Sequence, residues 1–349
     1  MEIRIQGRVV GNSSSPFVMA EMSGNHNQSY ERAMAIVEAV ARSGAHALKL
    51  QTYTADTMTL DVREGEFFIS DPQSLWRGHS LYELYQKAYT PWEWHEPIFR
   101  RCRELGLIVF STPFDSTAVD FLERLEVPCY KIASFENSDL PLIRRVAKTG
   151  KPLILSTGMA SLSDIEEAVS AAREAGCREL LLLKCTSSYP ASPEHSHLLT
   201  IPHMRATFDC PVGLSDHTLG IGAAVASVAL GAVAIEKHVT LQRSDGGVDA
   251  DFSLEPAELA SLVNETSRAW QALGSVTYGV LDEERSSLVF RRSLYVAQDM
   301  KAGERFTPET LRIVRPGMGL PPKFYDVLIG KSVAKDVKKG TAVTWELVR

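Results

Sequence analysis

Two histidines stand at the ends of apolar runs. His217 closes "PVGLSDH" (211–217), and His238 lies near the end of "AVAIEKHVT" (232–240). A pair of neutral imidazoles suits a divalent transition metal, and two protein ligands with open positions describe a catalytic ion rather than a structural one. One such histidine could simply cap its strand against a carbonyl. Two at matching ends of successive runs argue for convergence on a single species. Glu21, in "AEMSGNHN", supplies a carboxylate that could sit beside that species. Lys49 and Lys131, with the hydroxyls of Ser134, Ser187 and Ser215, combine positive charge with several donors, which is what a phosphate requires. The same lysines could instead pair with Glu21, Glu136 or Glu236 for structural reasons. Buried lysines without purpose are uncommon, which favours the anion site.

The elements that would position these residues follow from hydrophobic patterning. Apolar, β-rich runs occur at 17–23, 47–53, 107–113, 129–135, 152–158, 179–187, 211–217 and 232–240. Between them lie helical patterns at 30–43, 90–106, 161–176 and 255–270, several opened by Ser, Thr or Asp and closed at Gly. Strand–helix repetition demands parallel strands with right-handed crossovers. Eight such units in roughly 250 residues predict a (β/α)8 TIM barrel. A doubly wound sheet competes, but the first turn, "EMSGNHNQS", lacks a glycine-rich dinucleotide fingerprint.

Barrel chemistry sits at the C-terminal ends of strands. Every one of the eight runs turns polar at that end. Side-chain alternation puts Lys49 with Gln51, Ser215 with His217, and Glu236 with His238 on shared faces. Two segments fall outside the repeat. Residues 54–89 form a long insertion after the second run, of a length usually functional or lid-like. Residues 291–349 carry short β-like runs broken by turns, and form a module too small for a large core of its own.

The chain has 349 residues and a net charge of −6. That charge, with no basic run, argues against a nucleic-acid partner. Five scattered cysteines with no CxxC fit reduced thiols and a cytoplasmic protein. No apolar run reaches the ~18 residues of a membrane span, and the first ten residues lack a signal-peptide core, so no membrane association is expected.

"AEMSGNHN", "LKLQT", "STPFD", "KIASFE", "LSTGMA", "CTSSYP", "GLSDHT" and "EKHVTL" occur in the order in which they occur in the sialic acid synthase family, the phosphoenolpyruvate-dependent nonulosonate synthases. The chain resembles that family over essentially its whole length. Its C-terminal "RPGMG" region is similar to the β-rich antifreeze-like (SAF) domain that ends these enzymes. The resemblance implies a barrel domain over 1–280, a linker over 281–290 and an SAF domain over 291–349.

It also implies metal ligation of Mn2+ or Mg2+ by His217 and His238, with Glu21 as the acidic group beside the ion. Lys49, Thr112, Lys131, Ser134, Ser187 and Ser215 match the phosphoenolpyruvate pocket; Ser187 stands where some members carry Asn. Gln51, Glu136, Tyr189 and Asp249 match contacts to an N-acetylated amino sugar. Arg315 matches the arginine that the SAF domain lends to the partner subunit, implying a domain-swapped homodimer.

"LKLQTYTADTMTL", "LYELYQKAYTPWEWH" and "KIASFEN" look like the pseudaminate branch. The N-acetylneuraminate and legionaminate branches, using N-acetylmannosamine or a 2,4-diacetamido mannose acceptor, stay open. So do a Schiff-base aldolase acting through Lys131 and a carbohydrate- or ice-binding protein.

Overall fold

Parallel pairing closes the eight apolar runs into a barrel. The computed structural model describes residues 1–72, 74 and 76–349, and divides into two compact units, Met1–Gly274 and Ser275–Arg349. Two short strands open the first unit, β1 (Glu2–Ile5) and β2 (Arg8–Gly11). The barrel follows with β3 (Phe17–Glu21), β4 (Ala47–Thr52), β5 (Ile108–Pro113), β6 (Tyr130–Ile132), β7 (Leu153–Ser156), β8 (Leu180–Cys185), β9 (Val212–Ser215) and β10 (Ala234–His238). Each pairs in parallel with its sequence neighbours, and β10 closes on β3. The helices of this unit are α1 (Tyr30–Ser43), α2 (Ala55–Met58), α3 (Leu81–Ala88), α4 (Trp92–Glu104), α5 (Ser116–Arg124), α6 (Leu140–Ala147), α7 (Leu162–Glu174), α8 (Thr200–Phe208), α9 (Gly222–Ala229) and α10 (Pro256–Leu273).

Local signals set these boundaries. The Ser29 hydroxyl accepts from the Arg32 amide at the start of α1, and Gly44 ends that helix at a φ of 81°. Ser161 and Asp164 form a reciprocal capping box on α7.

Alternation along the strands divides the interior from the helix-facing layer. Outward residues such as Val18, Leu48, Val109, Leu182 and Ile235 pack against the helices in one large core. Inward residues, among them Phe17, Met19, Phe110, Ile154 and Leu183, form a second cluster inside the barrel. Ile3, Ile5 and Val10 join that inner cluster, so the β1–β2 hairpin plugs it from below. Its turn, Gln6–Gly7, has positive φ at both residues, the form that matches strand twist. The apolar runs marked by the sequence begin at residue 17 and leave this hairpin out.

The 54–89 insertion contains α2 and α3, and Phe68 bridges to Ser80. Positions 73 and 75 of the insertion lie outside the described residues. All five cysteines are buried free thiols. No helix among the described residues is long and apolar enough to cross a membrane.

The second unit pairs β11 (Ser293–Val296) with β12 (Leu311–Val314) in antiparallel fashion. Further bridges join Tyr295 to Ala342 and Val333 to Val348, and a short helix, α11, spans Tyr325–Leu328. Leu294, Val296, Phe306, Leu328, Val343 and others close a core within this unit. The module is small but not coreless.

Gly213 in β9 sits where the barrel wall leaves no room for a side chain. A Cβ there would collide with the Ala234 carbonyl oxygen and come within 2.7 Å of Leu183 Cδ2. Gly213→Ala therefore forces β9 away from its neighbours. A loss of about 1–3 kcal/mol in stability is expected, read by denaturant unfolding.

Candidate active site

Above its apolar layers the barrel interior turns charged. Glu21 and His238 end their strands, Lys49 lies within the neighbouring β4, and the register pairs Glu21 with both His238 and Lys49. Lys131 rises from β6, and Glu236 stands one inward position below His238 on β10. These side chains are almost fully buried.

Burial makes their mutual geometry decisive. Lys49 Nζ lies 2.9 Å from Glu21 Oε2 and 3.2 Å from Glu236 Oε2. Lys131 Nζ donates to Glu236 Oε1 at 3.0 Å, and Ser215 Oγ donates to the same oxygen at 2.9 Å. Gln51 Nε2 donates to Glu21 Oε1 at 2.8 Å. Two cations and two anions thus compensate one another in a dry interior. Desolvation alone would raise the Glu21 carboxyl, but Lys49, His238 and Lys131 overcome it and hold the group well below the ordinary carboxylate range. Lys49 is opposed by the same desolvation and is raised by Glu21 and Glu236. Lys131 is lowered, because burial there outweighs the attraction of Glu236.

The two imidazoles converge, with ring centroids 5.3 Å apart. His217 Nδ1 donates to the Thr186 carbonyl at 3.0 Å, which leaves Nε2 with a free lone pair. His238 Nε2 lies 3.2 Å from Glu21 Oε2, its Nδ1 lies 3.5 Å from Asp249 Oδ2, and Nδ1 has no hydrogen-bond partner. Ser23 donates to the same Asp249 oxygen. Phe252 packs edge-on against both rings. Metal–imidazole distances of about 2 Å fit two rings this close on one cation. No group of three or more His, Cys, Asp or Glu among the described residues is arranged to hold a metal. The two imidazoles, with His238 Nδ1 unpartnered, are the groups that would hold a cation here, with its remaining positions open.

A cavity of about 360 Å³ opens over this floor. It is lined by Glu21, Lys49, Gln51, Lys131, Ser134, Glu136, Tyr189, Ser215, His217, His238 and Asp249, so eleven of the residues singled out from sequence share one space. Thr112 and Ser187 are not in its lining. Thr112 is buried with its hydroxyl unpartnered. Ser134 and Ser187 flank Gly158, where any Cβ would collide with both hydroxyls, so the backbone must approach them closely. The Gly158 amide donates to Ser134 Oγ at 3.1 Å. Arg315 belongs to the second unit and is exposed beyond β12.

The sequence assigned no site role to three further lining residues. Ser156 reaches the cavity with its buried hydroxyl unpartnered. Glu236 bridges both lysines. Cys185 Sγ lies 3.9 Å from His217 Nδ1; burial would raise this thiol, but the imidazole beside it brings it down to about 7. Strand alternation carried the signal for each: they share the inward face of Ile154, Ala234 and Leu183.

Glu136 contrasts with Glu21. Burial pushes its carboxyl up to about 7 from an ordinary 4.5, against the weaker pull of Lys131. A carboxyl raised by folding stabilises the fold fully below its unfolded value, and loses that contribution as pH rises through the folded one. Glu136→Gln should match the wild type below about pH 4.5 and gain relative stability up to about pH 7, with a plateau beyond. Thermal melts of both proteins across that range measure it.

A family model described as the NeuB family matches residues 36–278, and one described as the SAF domain matches 291–349. The chain is 42% identical to a pseudaminic acid synthase of Campylobacter jejuni subsp. jejuni serotype O:2, covering 94% of this chain and 95% of that one. It is 40% identical to a pseudaminic acid synthase of Helicobacter pylori, covering 94% and 96%. The crystal structure of an N-acetylneuraminic acid (sialic acid) synthetase from Leptospira borgpetersenii serovar Hardjo-bovis, in complex with citrate, superposes with a TM-score of 0.74 at 30% identity, covering 82% of this chain and 95% of that one.

Proposed function

The chain belongs to the NeuB family and is an enzyme that forms a carbon–carbon bond, and on that premise we propose that it makes pseudaminic acid. The substrates are phosphoenolpyruvate, 2,4-diacetamido-2,4,6-trideoxy-L-altrose and water; the second product is phosphate, released by C–O cleavage. The observation that carries this reading is the shared cavity. Two lysines suited to an anion and two imidazoles suited to a cation line one space at the barrel mouth. Identities of 42% and 40% to relatives named for pseudaminic acid, against 30% to one named for N-acetylneuraminic acid, favour the acceptor.

In this mechanism Lys49 and Lys131 hold the phosphate and carboxylate of phosphoenolpyruvate, with Ser134, Ser156 and Ser215 donating to their oxygens. Thr112 and Ser187 support that pocket without lining it. Gln51, Glu136, Tyr189 and Asp249 orient the amino sugar with its aldehyde over the anion, which converts an encounter of two substrates into a local step. His217 and His238 would hold Mn2+ or Mg2+, which when bound supplies Lewis-acid polarisation of the aldehyde oxygen.

Carbon 3 of phosphoenolpyruvate attacks the aldehyde carbon, and positive charge develops at carbon 2. Glu21, held ionised by Lys49, accepts a proton from the water that adds to carbon 2 and returns it to the alkoxide left on the former aldehyde carbon; the remaining proton of that water goes to the departing phosphate as carbon 2 becomes the ketone. The bond from carbon 2 to the bridging oxygen then breaks, and that oxygen leaves with phosphate, whose charge the lysines offset. Arg315 completes the sugar site of the partner subunit, which makes the working form a domain-swapped homodimer.

His217→Ala and His238→Ala should each lower phosphate release by at least about a thousandfold, as expected when a polarising group is lost. Circular dichroism should remain that of the wild type. A chelator should reproduce that loss in the wild type, reversed by added Mn2+. Retention of activity by either variant, or through exhaustive chelation, would remove the metal. With the bridging oxygen of phosphoenolpyruvate isotopically labelled, the label should appear in the released phosphate. Borohydride with pyruvate should leave Lys131 unmodified; a covalent adduct there would establish the aldolase instead.

A further inference from the structure

The cavity has a second half that the mechanism does not use. Opposite the charged floor stands an apolar wall built by the 54–89 insertion. Helix α3 places Leu81, Leu84, Tyr85 and Ala88 on one face, at the spacing of an amphipathic stripe. Such a stripe ordinarily faces a hydrophobic core. Here it faces the cavity, where Met58 from α2 and Ile69 join it. Leu81, Leu84, Tyr85, Met58 and Ile69 are only half-buried, so their remaining exposed surface is available to a ligand.

The orientation of any acceptor follows from the chemistry of the floor. An aldehyde carbon must lie beside the imidazoles and lysines, so an open-chain sugar extends outward from its first carbon. Its last carbon is the one farthest from the strands and nearest the insertion. The leucines and Ile69 offer no hydrogen-bond donor or acceptor, and Met58 only a weak one. A hydroxymethyl group against them would give up water without a partner, whereas a methyl group would bury apolar surface.

We infer that the wall formed by Met58, Ile69, Leu81 and Leu84 is the specificity determinant for the distal end of the acceptor. It selects sugars that end in a methyl group over those that end in a hydroxymethyl group. This deepens, and rests on, the reaction proposed above. A hydrophobic surface rejects an added hydroxyl only modestly, on the order of 10- to 100-fold.

The test compares two acceptors of identical configuration, one 6-deoxy and one 6-hydroxy, by kcat/KM for phosphate release from phosphoenolpyruvate. The wild type should prefer the 6-deoxy acceptor by that factor. Leu84→Asn should narrow the preference about tenfold, mostly by slowing the 6-deoxy acceptor, with the KM for phosphoenolpyruvate unchanged. Met58→Gln, on a different helix, should narrow it in the same direction and carries the test if Leu84→Asn does not fold. Equal use of the two acceptors by the wild type, or an equal loss on both acceptors in a folded variant, would overturn the inference while leaving the reaction standing. Phosphate release with no acceptor sugar at all would overturn the reaction, and the inference with it.

Discussion

Two ammonium groups inside a closed barrel are the feature on which the rest of this site depends. Removing one such ion from water costs several kcal/mol even after relaxation, and the cost is met only by close partners with good geometry. Glu236 meets most of it, with one carboxylate oxygen on Lys131 and the other facing Lys49. Glu21 completes the set from the other side of Lys49. The arrangement requires four strands to aim inward residues from adjacent layers at one point. Parallel pairing in consistent register does this, and an open sheet with a free edge would not hold it closed. Two lysines face two glutamates, so the charges of the floor offset one another within the protein itself. On the proposed reading, an incoming anion would compete with Glu236 for ammonium groups already in place.

The division of labour between strands and insertion follows from what each can hold. Strand ends fix side chains through the hydrogen-bonded wall, so the charges, where small displacements matter most, sit there. The insertion is tied to the barrel by fewer contacts, such as Trp76 Nε1 donating to the Val248 carbonyl at 3.0 Å. It contributes surface rather than charge. Recognition of an apolar group tolerates this, since dispersion and desolvation depend weakly on direction.

Much of this was legible in the residues. The strand–helix repeat and the caps at Ser29 and Ser161 marked the barrel, and alternation placed Lys49, Ser215, His217 and His238 on the inner face. What escaped did so for physical reasons. Glu236 was visible at a strand end, but a carboxylate near lysines reads as an ordinary ion pair until its two oxygens are seen to serve different ammonium groups. The β1–β2 hairpin is only four residues a side, and a Gln–Gly turn is a weaker signal than Asn–Gly. The stripe on α3 has the period of any core-facing helix. Periodicity reports that a face is apolar, not what it faces. Thr112 and Ser187 have the right parity and chemistry, yet neither lines the cavity, since parity fixes a face and not how far a side chain reaches.

The two carboxyl groups that differ most in the site also divide its acid–base work. Glu21 accepts from Gln51 and touches Lys49 and His238, so its charged form is favoured despite complete burial. Glu136 has an unpartnered carboxylate oxygen, and burial brings its titration up to about 7. Environments that push two carboxyls apart assign them different roles. Near neutral pH Glu21 can only accept a proton or a hydrogen bond, as a group activating water must. A substantial fraction of Glu136 carries its proton and can donate to a carbonyl, the group that distinguishes an acetamido sugar from a plain one. On the proposed reading the lysine cluster would do more than hold an anion: it would set which carboxyl is the base and leave the other to read the acceptor.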